Sequence, residues 1–109
     1  MQKREHEYTV PLTRDDWIKN RFITKGPQIV EFSVQYETLI NGNWRVVMRI
    51  DSAHKGVHRH VFHPYDDEYQ QPFPCNNLND GLTQAQTFLR EEYHSIKSNY
   101  LTQLRKRRI

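Results

Sequence analysis

The chain has 109 residues, a formal net charge of +3 and 36% hydrophobic residues, which bounds it to a single domain over residues 1–109 with a modest core. With a mean hydropathy of −0.93, no apolar run of about 18 residues and no charged-then-apolar amino terminus, neither a membrane span nor a secretory leader is expected. The one cysteine, Cys75, excludes an internal disulfide and fits a reducing cytoplasm. No histidine stands near it in sequence, so it reads as a bystander. Basic residues gather at the ends, Lys3-Arg4 and Arg105-Lys-Arg-Arg108. The tail over 105–109 either meets phosphates or an acidic partner, or is a solvated helix end whose cations suit the helix dipole.

In chain order, residues 1–12 read as a polar N-terminal arm with a short extended piece, Tyr8–Leu12. Thr13 followed by Asp15 and Asp16 predicts a helix start, with a capping hydroxyl and acids in the first turn. That helix would run from Arg14 to about Phe22 and close at Lys25-Gly26-Pro27.

From Ile29 to Ile40 apolar and polar residues alternate, with Val30, Phe32, Val34, Tyr36 and Ile40 on one face. After Asn41-Gly42-Asn43 the alternation resumes with Trp44, Val46, Met48 and Ile50. Period two with one apolar face predicts an antiparallel hairpin lying on a core. A turn on Asn41-Gly42 alone would set Tyr36 against Val47 and mix the faces. A three-residue loop instead pairs Tyr36 with Met48, Val34 with Ile50, Gln35 with Arg49 and Ser33 with Asp51, with Asn43 in the left-handed conformation.

A third strand, about Val57 to His63, is expected beside Ile50, with His58, His60 and Phe62 facing one way and Arg59 the other. Proline at Pro64 ends it. Residues 64–78 read as a long loop with an acidic patch. Its Tyr65, Tyr69 and Phe73 either stack on single-stranded bases or fold back on the core. From Asn79, capped by Asn79 or Asp80, the spacing of Leu82, Ala85, Phe88, Leu89, Ile96, Tyr100 and Leu104 predicts a long amphipathic helix.

The run from Asp51 to Pro64 holds His54, His58, His60 and His63, with Lys55 and Arg59 between them. Imidazole changes charge near neutral pH and also ligates metals. In one reading two of these histidines act as general acid and base on an RNA phosphodiester, Asp51 fixes a tautomer, and Arg49 or Lys55 holds the phosphate charge. In another, His58 and His60 ligate a metal with His54 or Asp51. In the plainest, they are half-exposed strand and loop residues satisfied by backbone or water. His94 joins them only if the helix brings it back.

At Arg49-Ile-Asp51-Ser-Ala-His54 and His58-Arg59 the sequence resembles a family of small uncharacterised prokaryotic proteins. In these a hairpin leads into Arg-Tyr-Asp-x-Ala-His-Gly-Phe-Pro-His-Arg-Asp and then a carboxy-terminal helix. The motif is similar in outline to the TumE-like toxins of toxin–antitoxin modules, where Asp-x-Ala precedes a stretch ending in His-x-Lys-His. The resemblance spans about residues 28–104 and is specific over 49–60. It implies a ribonuclease held by a helix-turn-helix antitoxin, and it singles out Asp51, His54, His58 and Arg59, with His60 matching only the toxin version. Lys55-Gly56-Val57 replaces Gly-Phe-Pro, and His60 stands where the uncharacterised family often has Asp.

The expected fold is α+β: a short N-terminal helix, an antiparallel meander of three to four strands, and a long C-terminal helix on one face. The expected function is a toxin-like ribonuclease. Asp51, His54, His58 and His60 would be catalytic, Arg49, Lys55 and Arg59 would bind RNA, and no cofactor or metal would be needed. An antitoxin protein would be its partner. The alternative is a non-catalytic module that contacts a protein or nucleic acid through its outer sheet face and basic tail.

Overall fold

A computed structural model describes residues 1–53 and 56–106. Six antiparallel strands form one sheet in the order β1-β2-β3-β4-β5-β6. They are β1 (Lys3–Thr13), β2 (Asp16–Lys25), β3 (Gln28–Ile40), β4 (Asn43–Asp51), β5 (His58–Val61) and β6 (Tyr69–Pro72), followed by one helix, α1 (Leu78–Lys106). This corrects the expected fold on two counts: six strands replace three or four, and no N-terminal helix exists among the described residues.

The segment expected to be that helix is β2. Its inward positions are Asp16, Ile18, Asn20 and Phe22, of which the first three are buried. Two of the four are polar, which hides the period-two pattern. Thr13 acts at a hairpin corner rather than as a helix cap: its Oγ1 accepts from the Asp15 amide at 3.1 Å and its hydroxyl donates to Asp16 Oδ2 at 2.5 Å. Gly26, at φ 61°, opens the β2–β3 turn, where Lys25 pairs with Gln28. A glycine at positive φ followed by proline suits such a two-residue turn. The expected N-terminal arm is the edge strand β1, exposed at every position except Leu12.

The β3–β4 register holds where the core needs it, and the turn is different. Val34 pairs with Ile50, Gln35 with Arg49, Ser33 with Asp51 and Tyr36 with Met48, yet Ile40 pairs with Asn43. The left-handed residues are Asn41 (φ 52°) and Gly42 (φ 79°), not Asn43. A bulge between Tyr36 and Glu37 absorbs the one-residue difference. It turns Val47 and Met48 both into the core, at 2% and 5% exposure, so the two-residue turn no longer mixes the faces.

The helix lies across one sheet face and buries Leu82, Ala85, Leu89 and Tyr100 against Phe32, Val34, Tyr36, Met48 and Ile50. Asn77, not Asn79 or Asp80, caps it: its Oδ1 accepts from the Asp80 amide at 2.8 Å. Asn79 instead ties the helix start to the β2–β3 turn, accepting from Ile29 N at 3.1 Å and donating to Pro27 O at 3.3 Å. The long loop after β5 contains β6, and Phe73 folds back edge-on to Phe88 at 5.8 Å. No described helix is long and apolar enough to cross a membrane.

Candidate functional site

Strand alternation sorts the residues singled out by sequence onto two faces. Arg49 and Asp51 on β4 stand opposite His60 and His58 on β5, all on the face that the helix leaves open. His54 and Lys55 lie outside the described residues, as do 107–109 of the basic tail. Arg59 pairs with Ile50 and so faces the helix, where its guanidinium sits 5.4 Å from the Phe88 ring. His63 is tied to α1 through Gln103 at 3.3 Å. His94 is exposed, with its ring against neighbouring Tyr93. The structure therefore brings Arg49, Asp51, His58 and His60 together and leaves Arg59, His63 and His94 elsewhere.

On the open face His60 is the centre of a chain of charges. Its Nε2 lies 3.2 Å from Asp51 Oδ2, and its Nδ1 lies 2.8 Å from Glu68 Oε2. Asp51 also accepts from Arg49 Nε at 2.8 Å and from the Ala53 amide at 3.2 Å. His60 and Asp51 are 5% and 6% exposed. Burying such groups is costly unless each is paired, and here each is. These pairs tie β4, β5 and the approach to β6 to one another. With both ring nitrogens facing carboxylates, His60 has no nitrogen left for a substrate or a metal. His58, half-buried across from Asp51, is the described imidazole of this face that keeps its ring outside that chain. Among the described residues no group of three or more His, Cys, Asp or Glu could hold a metal ion.

The middle of the open face is also charged and paired. Lys19 meets Glu37 at 3.7 Å, and Arg21 meets Glu5 at 2.6 Å, Glu31 at 2.8 Å and Glu7 at 3.8 Å. Beside them Trp17 and Trp44 stack with ring centroids 3.5 Å apart, and Trp17 Nε1 donates to Glu37 Oε1 at 2.9 Å. Glu68 and this tryptophan pair were missed in the sequence. The acidic run 66–68 and the outward positions of a correctly assigned β2 were the signals for them.

A second buried polar group lies under the helix. Asp16 accepts from Tyr36 OH at 2.5 Å, Thr38 Oγ1 at 2.9 Å and Lys97 Nζ at 3.1 Å. Burial pushes the Asp16 carboxyl up, but the hydrogen bonds from Thr13, Tyr36, Thr38 and Lys97 outweigh it and hold the group below its ordinary value. Burial, followed by the bond to Asp16, pushes the Tyr36 hydroxyl far up, so it remains a donor.

Comparison with curated proteins gives no match, and neither does comparison with solved structures. A family model does match, over residues 1–106, and the chain belongs to that family, described as Domain of unknown function (DUF7718).

Proposed function

We propose that the chain is a non-catalytic interaction module whose open sheet face meets a partner protein. One observation carries this reading: Lys19, Arg21 and Arg49, the cations in the body of that face, are each already ion-paired with a carboxylate. Nucleic-acid backbones are held by cations that neutralise phosphates. In the body of this face each cation already has a carboxylate, while Lys3 and Lys25, paired with each other across β1 and β2 at their far end, stand apart from that centre. Stacked indoles ringed by paired charges instead resemble the aromatic centre and polar rim of a protein interface. A single unpaired cysteine, Cys75, fits a cytoplasmic setting for it.

A second reading, RNA cleavage by a toxin of the TumE-like kind, draws on His58 standing beside the Asp51–His60–Glu68 chain at the end of the segment that carries His54. It would need His54 for the second proton transfer, since His60 is engaged at both nitrogens. An antitoxin would then be the partner.

Fluorescence anisotropy with labelled RNA at about 150 mM salt, where exposed charges are screened beyond roughly 8 Å, separates the two. The interaction reading expects no saturable RNA binding. It also expects a partner whose capture survives nuclease treatment and is lost in Trp17→Ser/Trp44→Ser. Saturable RNA binding, or capture unaffected by the tryptophan changes, would refute it.

A further inference from the structure

The helix-side face holds a cleft that the open-face reading does not use. It lies between the carboxy-terminal half of α1 and strands β5 and β6, has a volume of about 390 Å³, and is lined in part by Met48, Val61, Phe88 and Ile96 with Arg59 at the wall. Arg59 is half-buried there. Its Nη2 donates to the neutral Gln71 amide oxygen, and its buried Nε has no hydrogen-bond partner. Gln71 accepts one bond from a group whose fork is shaped for two. The guanidinium has no described carboxylate in ion-pair contact, whereas Lys19, Arg21 and Arg49 each have at least one. A partly desolvated cation without a counter-charge is costly, and here it stands on a largely apolar floor.

We infer that this cleft binds a small organic carboxylate, with the acid group on Arg59 and an apolar body over Phe88, Val61 and Ile96. A planar guanidinium favours a carboxylate through paired donors. A volume of about 390 Å³ falls within the usual range for small-molecule sites. Glu92 at the cleft rim disfavours ligands with a second acid group. The inference does not depend on what the open face meets.

The test is calorimetric titration of the intact chain with phenylacetate and 4-methylpentanoate, against phenylacetamide and inorganic phosphate. The two carboxylates should bind saturably, and the amide and phosphate should not. Arg59→Gln should weaken carboxylate binding at least tenfold, in protein shown to be folded by circular dichroism. Ser95→Trp, at an exposed helix position lining the cleft, keeps Arg59 but fills the space, and should block binding as well. Equal binding of the amide or of phosphate, undiminished binding in either folded variant, or no binding of either carboxylate would overturn the inference.

Discussion

Replacing Asp16 with Asn is the sharpest probe of how this fold is held. Asp16 is 3% exposed, as befits a carboxylate that accepts from four side chains. An amide there presents two donors to hydroxyls that already donate, and it leaves the Lys97 ammonium, 27% exposed, without its counter-ion. Breaking a buried pair from one side costs about 3–5 kcal/mol. Because Lys97 can turn partly toward water, the lower end applies, about 3 kcal/mol. A domain of this size has about 5–15 kcal/mol in total, so the variant should fold but melt about 12–24 °C lower, at about 4–8 °C per kcal/mol. Urea denaturation should show a lower midpoint with an unchanged slope. The pH dependence follows from the depressed Asp16 value. The unfolded carboxyl binds protons first, so this stability is present above the ordinary value of 3.8 and is lost as pH falls through the lower folded value. Asp16→Asn should lack that acid-limb loss. A loss of stability under about 1 kcal/mol, with an unchanged acid limb, would refute the argument, because the network would then be worth no more than a surface ion pair.

Tyr36→Phe should remove an alkaline loss. The raised Tyr36 value gives stability that is complete below the ordinary value of 10.0 and is lost as pH rises above it, which denaturation midpoints between pH 9 and 11 can follow. Met48→Asp should unfold the domain, since Met48 is 5% exposed and an unpaired buried charge costs several kcal/mol, on the order of the whole stability; a folded variant by circular dichroism would reject the β3–β4 register. Gly42→Ala should cost about 1–2 kcal/mol through backbone conformation alone, because φ is 79° and a Cβ there would meet nothing within 4 Å. His60→Ala should destabilise by about 3 kcal/mol, leaving Asp51 and Glu68 facing each other without the ring between them.

What could be read from the sequence was the part that follows burial. In β3 and β4 the inward residues are apolar, so alternation gave the strands and the pairing of Tyr36 with Met48. The bulge leaves Val47 without a partner between the Tyr36–Met48 and Glu37–Val46 pairs, and its one trace in the sequence is the apolar run Val46-Val47-Met48, which also fits an uninterrupted strand. In β2 the inward residues include Asp16 and Asn20, whose partners Tyr36, Lys97 and Gln86 are remote in sequence, so the pattern resembled a capped helix. β1 buries almost nothing and carries no periodic signal. For the candidate site, strand alternation alone put His58 and His60 on one face of their strand and Arg59 on the other, and the β4–β5 register adds Asp51 to the histidines' face. Glu68, which decides what His60 can do, reaches it through a strand too short to announce itself.

The most direct test of the open-face reading is to incubate the purified parent and His58→Ala with a structured RNA at neutral pH in the presence of chelator and follow the RNA. The ionic arrangement around His60 and Arg49 predicts that neither protein cleaves it. Cleavage by the parent that His58→Ala abolishes would contradict the interaction reading and restore acid–base chemistry to this face.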